Sequence, residues 1–304
     1  MATVFDRFMP ASKEFFDKMR ANGVMHFDVD PTVEVWKMRD NVWSMLAPSP
    51  GMGGDAWMHL IVGPEKAMLI DTGFGIGNLR GLVEELTDKP IVLVNTHFHG
   101  DHAFGNYQFE AAYIHKYDAP YLEDQMDPAA RARMVPAAKP DSFYKDEDLV
   151  PVKPYEIIPI EEGYTFDLGG GYEMEVVHLP GHAPGGIGII DKQNRILFSG
   201  DAIVSTPTMI SGSAAGQHNS EFMTVTAFRD QLEKLVPKMD EFDVLYPGHA
   251  ILEYPKAAVT DMLELCNQII ADPDSQDEVS ESMRGMAKLK VVGLASIAYS
   301  DERI

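Results

Sequence analysis

Four side chains able to bind a metal fall within six residues of this chain, in Thr96-His97-Phe98-His99-Gly100-Asp101-His102. The apolar run before them, Ile91-Val92-Leu93-Val94, reads as a buried strand. His97 and His99 stand two apart, so an extended backbone turns both imidazoles to one side. Asp101 and His102 follow, where the chain turns toward a helix. Imidazole and carboxylate donors without a thiolate suit zinc, iron or manganese better than a soft-metal site. The bland alternative is a histidine-rich loop that binds nothing, and the strand ends that come later in the chain weigh against it.

Three further strands end in a residue of the same kind at a glycine-bearing turn. A β-meander over Ile157 to Val177 runs into Leu179-Pro180-Gly181-His182. A hairpin, Ile187 to Ile190 with Arg195 to Phe198, runs into Ser199-Gly200-Asp201. Val244-Leu245-Tyr246 leads to Pro247-Gly248-His249. Earlier, the strand Ala67 to Ile70 ends in Asp71-Thr72-Gly73. A carboxylate there is placed to hold a ligand histidine in one tautomer, or to cap the turn that follows. The helix expected over Ile76 to Thr87 then makes this strand and Ile91–Val94 a parallel pair joined by a crossover.

The rest of the chain must position these groups. Residues 11–22 read as an amphipathic helix with Phe15, Phe16 and Met19 on one side and Ser12 as its cap, within an N-terminal extension 1–24. Val33 to Leu46 is a hairpin broken at Arg39-Asp40-Asn41. The Gly/Pro-rich stretch 48–55 precedes a strand and not a helix, which argues against a phosphate loop. It reads as a plain turn or as a flap with Met52 and Trp57. His115 reads as a structural histidine. Residues 116–155, helical around Asp127 to Val135, form an insertion whose Phe143 and Tyr144 could shape an entrance. Ala202 to Ser220 is a long irregular loop leaving Asp201 and carrying His218. A helix follows over Phe222 to Met239. The C-terminal region 251–304 is expected to be helical, with Leu289 to Tyr299 undecided between strand and helix.

His97-x-His99-x-Asp101-His102, followed by His182, Asp201 and His249 and preceded by Asp71-Thr72-Gly73, resembles the metallo-β-lactamase superfamily. The resemblance covers Val33 to Ala250. It implies a single metallo-hydrolase domain over 1–304, an α/β fold built as a four-layer αβ/βα sandwich of two mixed β-sheets flanked by helices. It further implies two divalent metal ions, zinc first with iron or manganese as alternatives. His97, His99 and His182 would hold one ion, Asp101, His102 and His249 the other, and Asp201 would bridge them. Two such ions about 3.5–4 Å apart make hydroxide near neutral pH and polarise a carbonyl. Asp101 or Asp201 would pass a proton to the leaving group, with His218, Tyr246 and Tyr107 as other donors. Asp71 would orient a ligand from behind, and Phe98, Met58, Met209, His218 and Tyr246 are the expected pocket residues.

True β-lactamases of this superfamily lack the aspartate that Asp201 supplies, so the chain looks closer to the lactonase, thioesterase and phosphodiesterase branches. The formal net charge of -22 (25 Lys+Arg against 47 Asp+Glu) repels phosphate backbones and anionic lipid. No nucleic-acid or membrane partner is expected, and an oligomer is left open. A lone cysteine, Cys266, forms no intramolecular disulfide. No signal sequence and no apolar run long enough to span a bilayer is seen, so a cytoplasmic protein is expected. Asp272, Asp274, Asp277, Glu278 and Glu281 would repel an anionic tripeptide. The expected reaction is therefore hydrolysis of a small carboxylic ester or lactone, with thioesters next. A glyoxalase II-like thioesterase, a phosphodiesterase and a mononuclear-iron oxidoreductase resembling the persulfide dioxygenases are the alternatives.

Overall fold

The computed structural model describes residues 7–51, 54–282 and 285–304; Met52, expected at a flap tip, lies outside the described residues. The chain forms two compact units, one from Met19 to Met174 and the other from Glu175 to Ile304 with the N-terminal stretch up to Lys18. Helix α1 (Met9–Ala21) opens the described chain. Ser12 lies inside it, with its hydroxyl turned back to Phe8 O, and does not cap its end. Trp36 Nε1 donates to Met19 O, and Arg20 pairs with Glu34 at 2.7 Å.

The first unit is an eight-stranded sheet whose strands lie in chain order: β1 (Met25–Phe27), β2 (Asp30–Arg39), β3 (Val42–Ala47), β4 (Ala56–Val62), β5 (Ala67–Ile70), β6 (Ile91–Val94), β7 (Ala111–His115) and β8 (Glu156–Ile160). Neighbours from β1 to β5 are antiparallel, and those from β5 to β8 are parallel. A parallel pair needs a crossover. Helix α2 (Leu79–Leu86) supplies the one from β5 to β6, with Asn78 accepting from Gly81 N at its start. The short helices α3 (Gly100–Ala103), α4 (Ala119–Asp124) and α5 (Pro128–Met134) follow. Met45, Met58 and Leu60 from the strands, Leu82 and Val83 from α2, and Phe104 form one core. Alternation along β4 leaves Trp57 and His59 on its other face, where Trp57 packs edge-on to Trp36 at 5.5 Å and His59 Nδ1 meets Ser44 Oγ at 2.9 Å. Strand β9 (Thr165–Asp167), which is not part of this sheet, precedes the turn at Gly169-Gly170-Gly171.

In the second unit, β10 (Glu173–His178), β11 (Ile187–Asp191), β12 (Ile196–Gly200), β14 (Val244–Pro247) and β15 (Tyr254–Pro255) stand in the order β15–β14–β12–β11–β10. A further sheet runs β13 (Thr208–Ile210), β18 (Ala295–Tyr299), β17 (Gly285–Val292), β16 (Glu278–Ser282). Helices α6 (Val225–Leu235) and α7 (Ala257–Ala271) are amphipathic. Phe228, Leu232 and Leu235 of α6 and Met262, Leu265 and Ile269 of α7 enter one core, each such side chain stabilising by about 1.5–3 kcal/mol. The expected C-terminal helical region is corrected here, because regular helix ends at Ala271. Pro273 follows, and Ala287 and Leu289 alternate with Lys288 and Lys290 as a strand requires. Among the described residues no helix is long and apolar enough to cross a membrane.

Candidate metal centre

In the first unit, β5 and β6 end side by side, so Asp71 and Thr96 meet. Asp71 sits at φ +62°, a conformation that Asp and Asn tolerate better than most residues. Its buried carboxylate accepts from Thr96 N and Thr96 Oγ1, both at 2.7 Å, and lies 2.9 Å from His102 Nδ1. A hydroxyl donates once. With the Thr96 proton given to Asp71, the Thr96 oxygen accepts from His97 Nδ1 at 3.1 Å. One carboxylate thereby sets the tautomer of both His102 and His97, leaving each Nε2 with a lone pair. The His97 ring centre is 4.7 Å from that of His99 and 4.3 Å from that of His102. Asp101 Oδ2 lies 3.8 Å from His102 Nε2.

The turn that carries these rings is held by buried amides. Thr72 N and Asn95 Nδ2 donate to His102 O, and the Thr72 hydroxyl donates to Asn106 Oδ1 at 2.8 Å. Asn106 closes the network through Asn95, Thr72 and the Tyr155 hydroxyl. Gly105 permits the close approach, since a Cβ there would stand 2.2 Å from Thr72 O. Between the first two histidines, Phe98 N donates to the buried carboxylate of Asp118, and Gln125 Nε2 donates to Phe98 O at 2.6 Å. The Phe98 ring stacks on Tyr121 at 3.9 Å. The inserted segment after β7 thus clamps the peptide joining His97 to His99. Sequence reasoning missed Asp118 and Gln125; both lie beyond any local spacing rule.

In the second unit, parallel pairing of β12 and β14 brings Asp201 and His249 out beside each other, and Gly248 N donates to Gly200 O at 2.9 Å. His182 Nδ1 lies 3.0 Å from Met209 O. A carbonyl only accepts, so Nδ1 carries the proton and Nε2 carries the lone pair that a metal would take. Asp201 Oδ2 lies 3.5 Å from His182 Nε2 and 3.3 Å from His249 Nε2. One carboxylate oxygen therefore faces two imidazole nitrogens. Buried Nε2 donors with their Nδ1 atoms already engaged, together with carboxylate oxygens, fit a divalent metal of the zinc, manganese or iron kind.

The expected pocket residues separate. Phe98 is half-buried, and His218 is exposed on its loop. Met58 and Met209 are buried among apolar neighbours. Tyr246 is fully buried against Phe198, and its hydroxyl donates to Glu253 at 2.5 Å. The Tyr107 hydroxyl donates to Gln125 O at 2.7 Å, and burial pushes its pKa up to about 12. Both phenols suggested as proton donors are thus engaged inside the fold.

The sequence pattern of the metallo-beta-lactamase superfamily matches residues 51–250. The chain is 30% identical over 168 residues to the acyl-coenzyme A thioesterase MBLAC2 of Homo sapiens, a match covering 50% of this chain and 59% of that protein. It is 26% identical over 193 residues to the hydroxyacylglutathione hydrolase GloC of Haemophilus influenzae, covering 61% of this chain and 80% of that protein. Among solved structures, a metallo-beta-lactamase from Pontibacter korlensis superposes with a TM-score of 0.51 at 18% identity, covering 77% of this chain and 99% of that one. At that identity the likeness shows the fold, a layered α/β sandwich.

Proposed function

Because the chain belongs to the metallo-β-lactamase superfamily, we propose that it is a metal-dependent hydrolase acting on an acyl thioester or ester of a small molecule. By the ligand pattern of that superfamily, His97, His99 and His182 would hold one divalent ion, Asp101, His102 and His249 a second, and Asp201 would serve both. The observation that carries this reading is Asp201 Oδ2 facing the Nε2 atoms of His182 and His249 at 3.5 and 3.3 Å. When bound, such a pair supplies a Lewis acid for the acyl carbonyl and lowers the pKa of a water molecule.

The chain's own residues do the rest. Asp71 keeps Nε2 of His102, and through Thr96 that of His97, free of a proton. The Met209 carbonyl does the same for His182. Asp101, with its side chain 14% exposed, accepts the proton released in the attack and returns it to the leaving group. Thioesters are favoured over alkyl esters and lactones. A thiol leaving group has a pKa of about 8.5 and departs as thiolate, with little help from a general acid. An alkoxide leaves only with the proton that Asp101 returns, because Tyr107 and Tyr246 are both engaged elsewhere, so ester cleavage leans on that one transfer more than thioester cleavage does. The thioesterase name of the human relative weighs the same way.

The test is release of thiol from short and medium acyl thioesters, run beside lactones, aryl esters, a phosphodiester and a penicillin. Thioester cleavage that a chelator abolishes and zinc or manganese restores supports the reading. Chelator-resistant cleavage, or turnover of the phosphodiester alone, overturns it.

A further inference from the structure

Arg303 is the feature of the second unit that the site does not yet account for. It lies next to the last residue of the sequence, in the short turn Asp301–Arg303 after β18, and is 1% exposed. Burying a guanidinium is costly unless its donors are satisfied. Here Nη2 donates to Gly181 O at 2.9 Å, Nη1 to Ser211 O at 3.3 Å, and Nε to Met223 O. Those carbonyls belong to three separate segments. Gly181 immediately precedes His182 and adopts φ +110°. Ser211 follows β13, whose Met209 carbonyl accepts from His182 Nδ1. The same strand is held along its length by β18, with Thr208, Met209 and Ile210 opposite Ile297, Ala298 and Tyr299. Ser300 N also donates to Ile210 O at 3.3 Å.

We propose that Arg303 is a positioning residue for His182. Its planar fork ties the backbone just before the histidine to the strand that sets that histidine's tautomer, so both ends of the imidazole's support are referenced to one rigid group. The inference rests on the reading of His182 as a metal ligand. Lysine would keep the charge but not the fork, because an ammonium reaches fewer of three divergent carbonyls in good geometry. Polar partners that orient a metal-ligating histidine typically matter by about 10–100-fold in metal affinity. The effect expected here belongs to the ion that His182 helps to hold.

The experiment is a competition titration of the metal-free full-length protein with zinc against a chromophoric chelator. Parent, Arg303→Ala, Arg303→Lys and His182→Ala are compared, with the Tm of each metal-free form measured alongside. Arg303→Ala is expected to weaken the step lost in His182→Ala by about tenfold or more and to leave the other step within about threefold. Arg303→Lys should fall between, and millimolar guanidinium should recover part of the loss in Arg303→Ala. A folded Arg303→Ala, or Arg303→Lys if the alanine variant does not fold, that binds both ions as the parent does overturns the proposal. Equal weakening of both steps also overturns it, since that reports general loosening. If His182→Ala itself binds zinc like the parent, the failure belongs to the ligand assignment and not to Arg303.

Discussion

Replacing Asp71 by Asn tests the idea that one carboxylate sets two imidazoles. Asn has the same size and tolerates φ +62°, so the backbone is left in place. The carboxylate accepts three bonds, from Thr96 N, Thr96 Oγ1 and the His102 ring. Hydrogen bonds to a charged group contribute about 1.5–3 kcal/mol each, and about half that when the acceptor is neutral. Halving all three bonds costs about 2–4.5 kcal/mol of folding stability, a lower bound because an amide NH2 group cannot accept the two bonds that Oδ2 receives. The consequence for the site is larger than that figure suggests. If the amide oxygen stays on Thr96 N, its NH2 group faces His102 Nδ1, which must then become the acceptor. The His102 proton moves to Nε2, the nitrogen meant for the metal. Zinc affinity measured by chelator competition should fall by about 10–100-fold, while urea unfolding stays cooperative with an unchanged slope. Affinity within about threefold of the parent's, in a folded variant, would refute the tautomer argument.

Gly105→Ala places a methyl 2.2 Å from Thr72 O and should lower Tm by several degrees while distorting the turn that carries His102; a parent-like Tm would show that the close approach is not needed. Burial, opposed by the hydrogen bond from Thr32 and joined by the charge on Asp148, raises the pKa of Asp30 above its ordinary value of 3.8. The folded state therefore holds that proton more tightly, so the group's contribution is present below the unfolded value and is lost as pH rises through the folded one. Asp30→Asn should gain on the parent in urea midpoint as pH rises from the ordinary value of 3.8 through the raised folded one, and a constant difference would contradict the shift. Cys266 is fully buried in α7 with its thiol pushed up by burial, so a thiol reagent should label it only at the rate of unfolding. Rapid labelling of the folded protein would contradict that packing.

Much of the candidate site was readable because its donors are local to strand ends. His97, His99, Asp101 and His102 need only a strand followed by a turn, and glycines mark the turns before Asp201 and His249. The parallel order around β5 and β6 followed from the strand-helix-strand pattern. What was not readable depends on partners distant in sequence. Asp118, Gln125 and Arg303 act on Phe98, Gly181 and Ser211 through hydrogen bonds that no spacing encodes. Tyr246 lies inside the fold, with its hydroxyl on Glu253, because a residue near a ligand in sequence can face either side of a strand. The strands after residue 278 were hidden by charged positions, which mask alternation when only one face is buried.

The most direct test of the central claim is a stoichiometric zinc titration of the metal-free protein, followed in parallel by thioester hydrolysis. The account predicts an endpoint of two ions per chain, with activity rising as the sites fill and with Asp201→Ser losing the two-ion endpoint. An endpoint at a single ion, or thioester turnover already complete before any metal is added, would contradict it.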